Sequence, residues 1–194
     1  MSNTDVSGSD LWEFEGTTPR LREIDCTLLS GFGDQELLHI LRICGPSLKS
    51  LNISKAEVTG EILSEHKGPQ PVLQHLNISK TERKITDKGL IQILNTFGKT
   101  LVSLDVSVSR VTGRNLRKFK GSLPCLANLQ CNATSLTQEG VFHILELSGG
   151  TLQRLALIKT KLKSNILERI HEDFPNLLLM PKYSEHLDID YEYY

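Results

Sequence analysis

Apolar residues return along this chain in a fixed frame. Leu48-Lys49-Ser50-Leu51-Asn52-Ile53-Ser54 is followed by Leu73-Gln74-His75-Leu76-Asn77-Ile78-Ser79, then by Leu101-Val102-Ser103-Leu104-Asp105-Val106-Ser107. Looser copies begin at Leu21, Leu126 and Leu152, and a degenerate one at Leu177, so the steps are 27, 25, 28, 25, 26 and 25 residues. Positions 1, 4 and 6 of each full copy are apolar. Positions 4 and 6 alternate with outward positions 5 and 7, the two-residue period of a short strand with one face inward.

A different pattern follows each strand. Leu90, Ile91, Ile93 and Leu94 approximate a single helical stripe, with Thr86 placed as its N-cap. Matching segments begin near Asp34 and Thr137. The alternate copies open instead with Val58-Thr59-Gly60, Val111-Thr112-Gly113 and Leu162-Lys163-Ser164, and their outer segments are shorter. The spacing predicts longer helices after strands 1, 3 and 5, and a two-repeat unit of 53 and then 51 residues. No single repeat can bury its apolar face; stacking makes the core continuous.

The L-x-x-L-x-I/V-S strands and the stretch Ile85-Thr86-Asp87-Lys88-Gly89-Leu90 resemble intracellular leucine-rich repeats of the ribonuclease-inhibitor-like and cysteine-containing classes. The resemblance covers about residues 21–180. It implies an α/β fold: a right-handed solenoid bent into a horseshoe arc, about six to seven repeats of 25–28 residues, with a parallel sheet on the concave side. Such repeats occur in F-box substrate receptors and NOD-like receptors. The resemblance therefore implies adaptor, substrate-recognition or sensing roles, innate immunity among them, in the cytoplasm. The cysteine-containing class places a cysteine three positions past the third strand anchor. Here those positions hold Leu29, Ala56, Thr81, Ser109, Thr134 and Thr160.

Composition adds exclusions. With 39% hydrophobic and 23% charged residues the chain has globular proportions, which excludes a wholly disordered, collagen-like or disulfide-scaffold chain. No apolar run approaches the roughly 20 residues of a membrane span, and the polar, acidic start is not a secretory signal. The net charge of −1 hides a distribution. Residues 1–20 carry four acids and one base, residues 181–194 the same, and residues 21–180 carry 20 bases and 15 acids. The division is an acidic N-terminal segment (1–20), a repeat domain (21–180) and an acidic, tyrosine-rich tail (181–194). Leu11, Trp12 and Phe14 are expected to cap the first repeat, and Leu177 to Met180 to close the far end. The excess of five bases over 160 residues is too thin for nucleic acid, which takes a concentrated basic face.

Candidate chemistry recedes under the same register. Of four cysteines none forms a C-x-x-C pair, and Cys26 and Cys131 fall at inward position 6, four strands apart. At about 4.8 Å per strand that is roughly 19 Å, too far for a disulfide, so free, mostly buried thiols are expected. His39 and His143 occupy one slot of equivalent helices, where the third copy has Gln92; a polar slot explains them better than a metal. There is no phosphate-binding glycine loop, no H-E-x-x-H and no nucleophile elbow. No catalytic residue, metal or cofactor is expected. Function then falls to the concave rows. The candidate binding set is Lys49, Asn52, His75, Asn77, Ser103, Asp105, Asn128, Gln130 and Arg154, facing another protein, with the chain a monomer. The alternative is a regulator, inhibitor or activator, of an enzyme. The outward strand positions cover roughly 300 Å² from strand spacings, against about 800 Å² per partner in a standard interface. Loops or the tail must add contact; Asp188 to Tyr194 is the rival contact segment.

Overall fold

The computed structural model describes residues 20–180 except 28 and 82. The expected Leu11, Trp12 and Phe14 cap and the tyrosine-rich tail lie outside the described residues. Seven three-residue strands form one parallel sheet in chain order: β1 (Glu23–Asp25), β2 (Ser50–Asn52), β3 (His75–Asn77), β4 (Ser103–Asp105), β5 (Asn128–Gln130), β6 (Arg154–Ala156) and β7 (Leu178–Met180). The repeat frame is the pairing frame: Leu51, Leu76, Leu104, Leu129 and Leu155 are successive partners across β2 to β6. Helices α1 (Asp34–Cys44), α2 (Asp87–Phe97) and α3 (Gln138–Ser148) follow β1, β3 and β5, as the pattern predicts. After β2 and β4 come short 3-10 segments, Glu61–Glu65 and Arg114–Lys118.

The core lies between the sheet and these outer segments. Position 6 holds Cys26, Ile53, Ile78, Val106, Cys131 and Leu157, each at most 2% exposed. They pack in one cluster with Ile40, Leu41, Ile93, Leu94, Ile144 and Leu145 of the helices. Burying an aliphatic side chain is worth about 1.5–3 kcal/mol, so each repeat contributes through contacts with its neighbours.

Leaving the strand requires a turn that only stacking secures. Position 8 is left-handed in five successive repeats, at Lys55, Lys80, Val108, Ala133 and Lys159, with φ between 52° and 67°. A side chain there costs roughly 1–2 kcal/mol, and a β-branched residue such as Val108 is the least suited. Each of the first four donates its N–H to the position 7 carbonyl of the next repeat: Lys55 to Ser79 (2.9 Å), Lys80 to Ser107 (3.0 Å), Val108 to Asn132 (2.8 Å) and Ala133 to Ile158 (2.7 Å). Position 9 then turns inward. Ala56, Thr81, Ser109, Thr134 and Thr160 are all buried there. The Thr134 and Thr160 hydroxyls donate to the carbonyls of Cys131 and Leu157 at 2.7 and 2.8 Å. The Ser109 hydroxyl accepts from the Val111 N–H at 3.4 Å, and the buried Thr81 hydroxyl has no hydrogen-bond partner among the described residues.

Two expectations need correction. The segment after β6 is not short: it forms α4 (Ser164–Asp173). Gly60 and Gly113 open the 3-10 segments at φ 76° and 75°, a conformation glycine adopts without penalty. The equivalent residue is Ser164; the chain stays extended at Lys163 (φ −76°) and enters an α-helix at once. The last repeat is also displaced by one residue. Leu178, not the residue after it, pairs with Arg154. A one-residue slip exchanges the faces of a strand, so Leu177 and part of Leu179 meet the core while Leu178 and Met180 stay 59% and 45% exposed.

Candidate functional site

The open face of the sheet, opposite the helices, carries positions 3 and 5. Strand pairing places Ser50, His75, Ser103, Asn128 and Arg154 in one row and Asn52, Asn77, Asp105 and Gln130 in the next. The nine candidates separate here into side chains that serve the chain itself and side chains that face outward.

Position 5 is mostly internal. Asn52, Asn77 and Asp105 are half-buried, and each accepts from the N–H two residues on: Ser54 (3.2 Å), Ser79 (3.0 Å) and Ser107 (2.8 Å). This Asx turn satisfies an N–H at the start of the bend. Asp25 does the same for Thr27 and also accepts from the Asn52 amide at 3.1 Å. The Thr27 hydroxyl and backbone N–H hold the Asp25 carboxyl below the usual carboxylate range. Gln130 has one methylene too many for this geometry. The N–H two residues on, of Asn132, donates instead to the Ser107 hydroxyl at 3.1 Å, and Gln130 stays exposed. In the next repeat, where position 5 is Ala156, the Ile158 N–H donates to Asn132 Oδ1 at 2.9 Å.

Position 3 is outward. His75 and Arg154 are exposed, Ser103 and Asn128 half-buried. The Arg154 Nε donates to Asn128 Oδ1 at 2.5 Å, which orients the guanidinium along the row. Lys49 lies one residue before β2, half-buried, its N–H donating to the Arg22 carbonyl at 2.7 Å. The sheet therefore gathers His75, Gln130 and the Asn128–Arg154 pair as the outward groups, on β3, β5 and β6. Two surface hollows among the described residues lie on the helical side, one lined by Arg114, Thr137, Gln138, Glu139 and Phe142, the other by residues of α1 and of 65–68.

His39, Gln92 and His143 do share a slot, the sixth residue of α1, α2 and α3. His39 is buried in this slot, its Nδ1 3.0 Å from the Arg42 guanidinium. Residues 65–68 line a surface hollow together with it. Among the described residues, no three His, Cys, Asp or Glu side chains group to hold a metal ion. The four cysteines are free, with only Cys125 exposed. Burial pushes the Cys26 thiol up to about 12 and raises Cys44 and Cys131 as well, so these three behave as small hydrophobes. No described helix is long and apolar enough to cross a membrane.

One polar site escaped the sequence reading. Asp87, only 5% exposed, opens α2 and accepts from the Thr112 N–H (2.7 Å), the Thr112 hydroxyl (2.7 Å), the Gly113 N–H (2.9 Å) and the Asn115 N–H (3.1 Å). Burial pushes its carboxyl up, and these donors more than reverse the shift, leaving it below the ordinary value. Asp34 of α1 grips Thr59 and Gly60 in the same way. The signal was present: an aspartate at a helix start, with Val-Thr-Gly about 25 residues later, occurs twice.

Fold and face define an open, seven-stranded parallel stack that presents a polar surface. No family model matches the chain, and no curated protein matches it. Among solved structures it is similar to a chain of a yeast complex, the crystal structure of Rad7 and Elc1, with 17% identity and a TM-score of 0.47 over 93% of this chain and 63% of that one. The chain thus spans less than two thirds of that neighbour.

Proposed function

We propose that this chain is an intracellular-type leucine-rich repeat module, a right-handed horseshoe that binds another protein without catalysis. Residues 21–180 form the binding domain, acting as a monomer in the cytoplasm. The observation that carries the reading is the sorting of the open face. Asn52, Asn77 and Asp105 are committed to their own backbone, which leaves His75, Gln130 and Arg154 as exposed groups on a rigid platform. A fixed platform lowers the ordering cost of association, and Arg is among the side chains enriched at binding hot spots. The strands alone offer less than a standard interface, so the partner also covers a flank.

The test uses the full chain as bait. A triple variant, His75→Ala, Gln130→Ala and Arg154→Ala, is expected to lose a specific partner at least tenfold while keeping its melting temperature. A partner held equally by wild type and triple variant would remove the open face from the reading.

A further inference from the structure

We propose that the flank where the strands end is a docking surface for an acidic, extended segment, and that the segment is residues 181–194 of the same chain. This does not depend on what the open face binds.

Because the sheet is parallel, every strand ends on one flank, and α1 to α4 all begin there. Their positive dipole ends face the same way. The connecting loops are basic. Lys55, Lys80, Arg83, Arg110, Lys159 and Lys161 are exposed along them, from the second repeat to the sixth. The acids in these loops are Glu57, bound to Lys84 at 2.9 Å, and Glu82. The helix starts add Asp34 and Asp87, which are engaged by the Thr59 and Thr112 turns, Glu61, which is bound to Lys88, and Glu36 and Glu139. The excess of bases over acids is therefore concentrated at Lys159 and Lys161.

The tail is rooted at this flank. Met180 pairs with Ala156, and Lys159 and Lys161 lie three and five residues beyond Ala156. The last described residue, Met180, therefore lies beside them. The 14 residues that follow carry Glu185, Asp188, Asp190 and Glu192 against Lys182. Extended, they reach at most roughly 46–50 Å, while five strand gaps, β7 to β2, span about 24 Å. A short tether holds its ligand at millimolar effective concentration. The opposite flank is also basic, with Lys67, Lys99, Lys118 and Lys120, so charge alone does not choose. The position and direction of Met180 do.

Zero-length carbodiimide cross-linking of the full chain at low salt, read by peptide mass spectrometry, tests this. Links from Asp188, Asp190 or Glu192 to Lys55, Lys80, Lys159 or Lys161 are expected to exceed links to Lys67, Lys99, Lys118 and Lys120 at least fivefold, and to fade in about 0.5 M salt, where screening acts within a few ångströms. Equal linkage to both flanks would overturn the proposal. So would hybrid links in a mixture of isotopically light and heavy protein, because the tail would then be docking on a second copy. A second measurement needs no link to form. With Glu185→Gln, Asp188→Asn, Asp190→Asn and Glu192→Gln together, acetylation of Lys159 and Lys161 should accelerate several-fold while Lys99 is unchanged. Unaltered rates at Lys159 and Lys161 would overturn it equally.

Discussion

The first four repeats and the last three are joined differently. In the first four, a carboxylate at the start of each long helix reaches into the following repeat: Asp34 to Thr59 and Gly60, Asp87 to Thr112, Gly113 and Asn115. At the third such junction the helix opens with Gln138, which is exposed, and no hydrogen bond joins it to Lys163 or Ser164. There Thr137 caps its own helix through the Gly140 N–H at 3.2 Å. The outer segments follow the same division. Where the aspartate grips Thr-Gly, the next repeat makes a 3-10 turn; where it does not, the next repeat makes α4. The residue at the helix start and the shape of the neighbouring repeat change together.

The largest effect that would break this comparison is expected at Gly113. Its φ is 75°, and a Cβ placed there would meet the Gly140 Cα at 2.4 Å. Left-handed strain of roughly 1–2 kcal/mol and overpacking against backbone of roughly 1–3 kcal/mol predict a loss of about 3 kcal/mol for Gly113→Ala. Gly149 is left-handed too (φ 55°), with nothing within 4 Å of a Cβ, so Gly149→Ala should cost only the strain, about 1 kcal/mol. Urea midpoints at constant slope measure both. Equal losses would show that strain, not the contact between repeats, governs Gly113.

Asp87 comes next. Asp87→Ala strands the Thr112, Gly113 and Asn115 N–H groups, and a loss of about 2–3 kcal/mol is expected at neutral pH. The effect depends on pH in a fixed direction. The folded carboxyl titrates below its ordinary 3.8, so its contribution is complete above about pH 5 and is lost as pH falls through the folded value. The gap between wild type and variant should therefore narrow on acidification from pH 5 to pH 3, followed by chemical denaturation at each pH. A gap that widened there would mean the folded carboxyl holds its proton more tightly than the unfolded one.

Most of the fold was legible because each repeat restates the same constraint. Leu51, Leu76, Leu104 and Leu129 pair as read, since a slip would turn a whole apolar row outward. Legibility failed where a repeat lacks a neighbour or a motif decays. β7 is the last strand among the described residues, its pairing is one residue out of the repeat frame, and Leu178 and Met180 stay exposed. The candidate face was legible only by row. That Asn77 faces its own backbone while His75 faces outward depends on a hydrogen bond of 3.0 Å that alternation cannot specify.

The smallest expected effect is the most direct test of the junction. Gln138→Asp, Lys163→Thr and Ser164→Gly together rebuild at the third junction the residues that grip at the first two. The new carboxylate would gain hydrogen bonds of about 0.5–1.5 kcal/mol each. Against this stand a glycine at the start of α4, which costs roughly 0.5–1 kcal/mol wherever it remains helical, and the first turn of a helix held by Ile166 and Ile170 in the core. The terms nearly cancel, and stability should stay within about 1 kcal/mol of wild type. Helicity should not. The first turn of α4, about four residues, should pass into a 3-10 turn, and the ellipticity at 222 nm should fall by that share. Coupling is the decisive quantity. Gln138→Asp and the Lys163→Thr, Ser164→Gly pair should interact by more than about 0.5 kcal/mol in a double-mutant cycle. If the two changes are additive and α4 keeps its length, the aspartate is a passenger on a shape that the glycine alone determines.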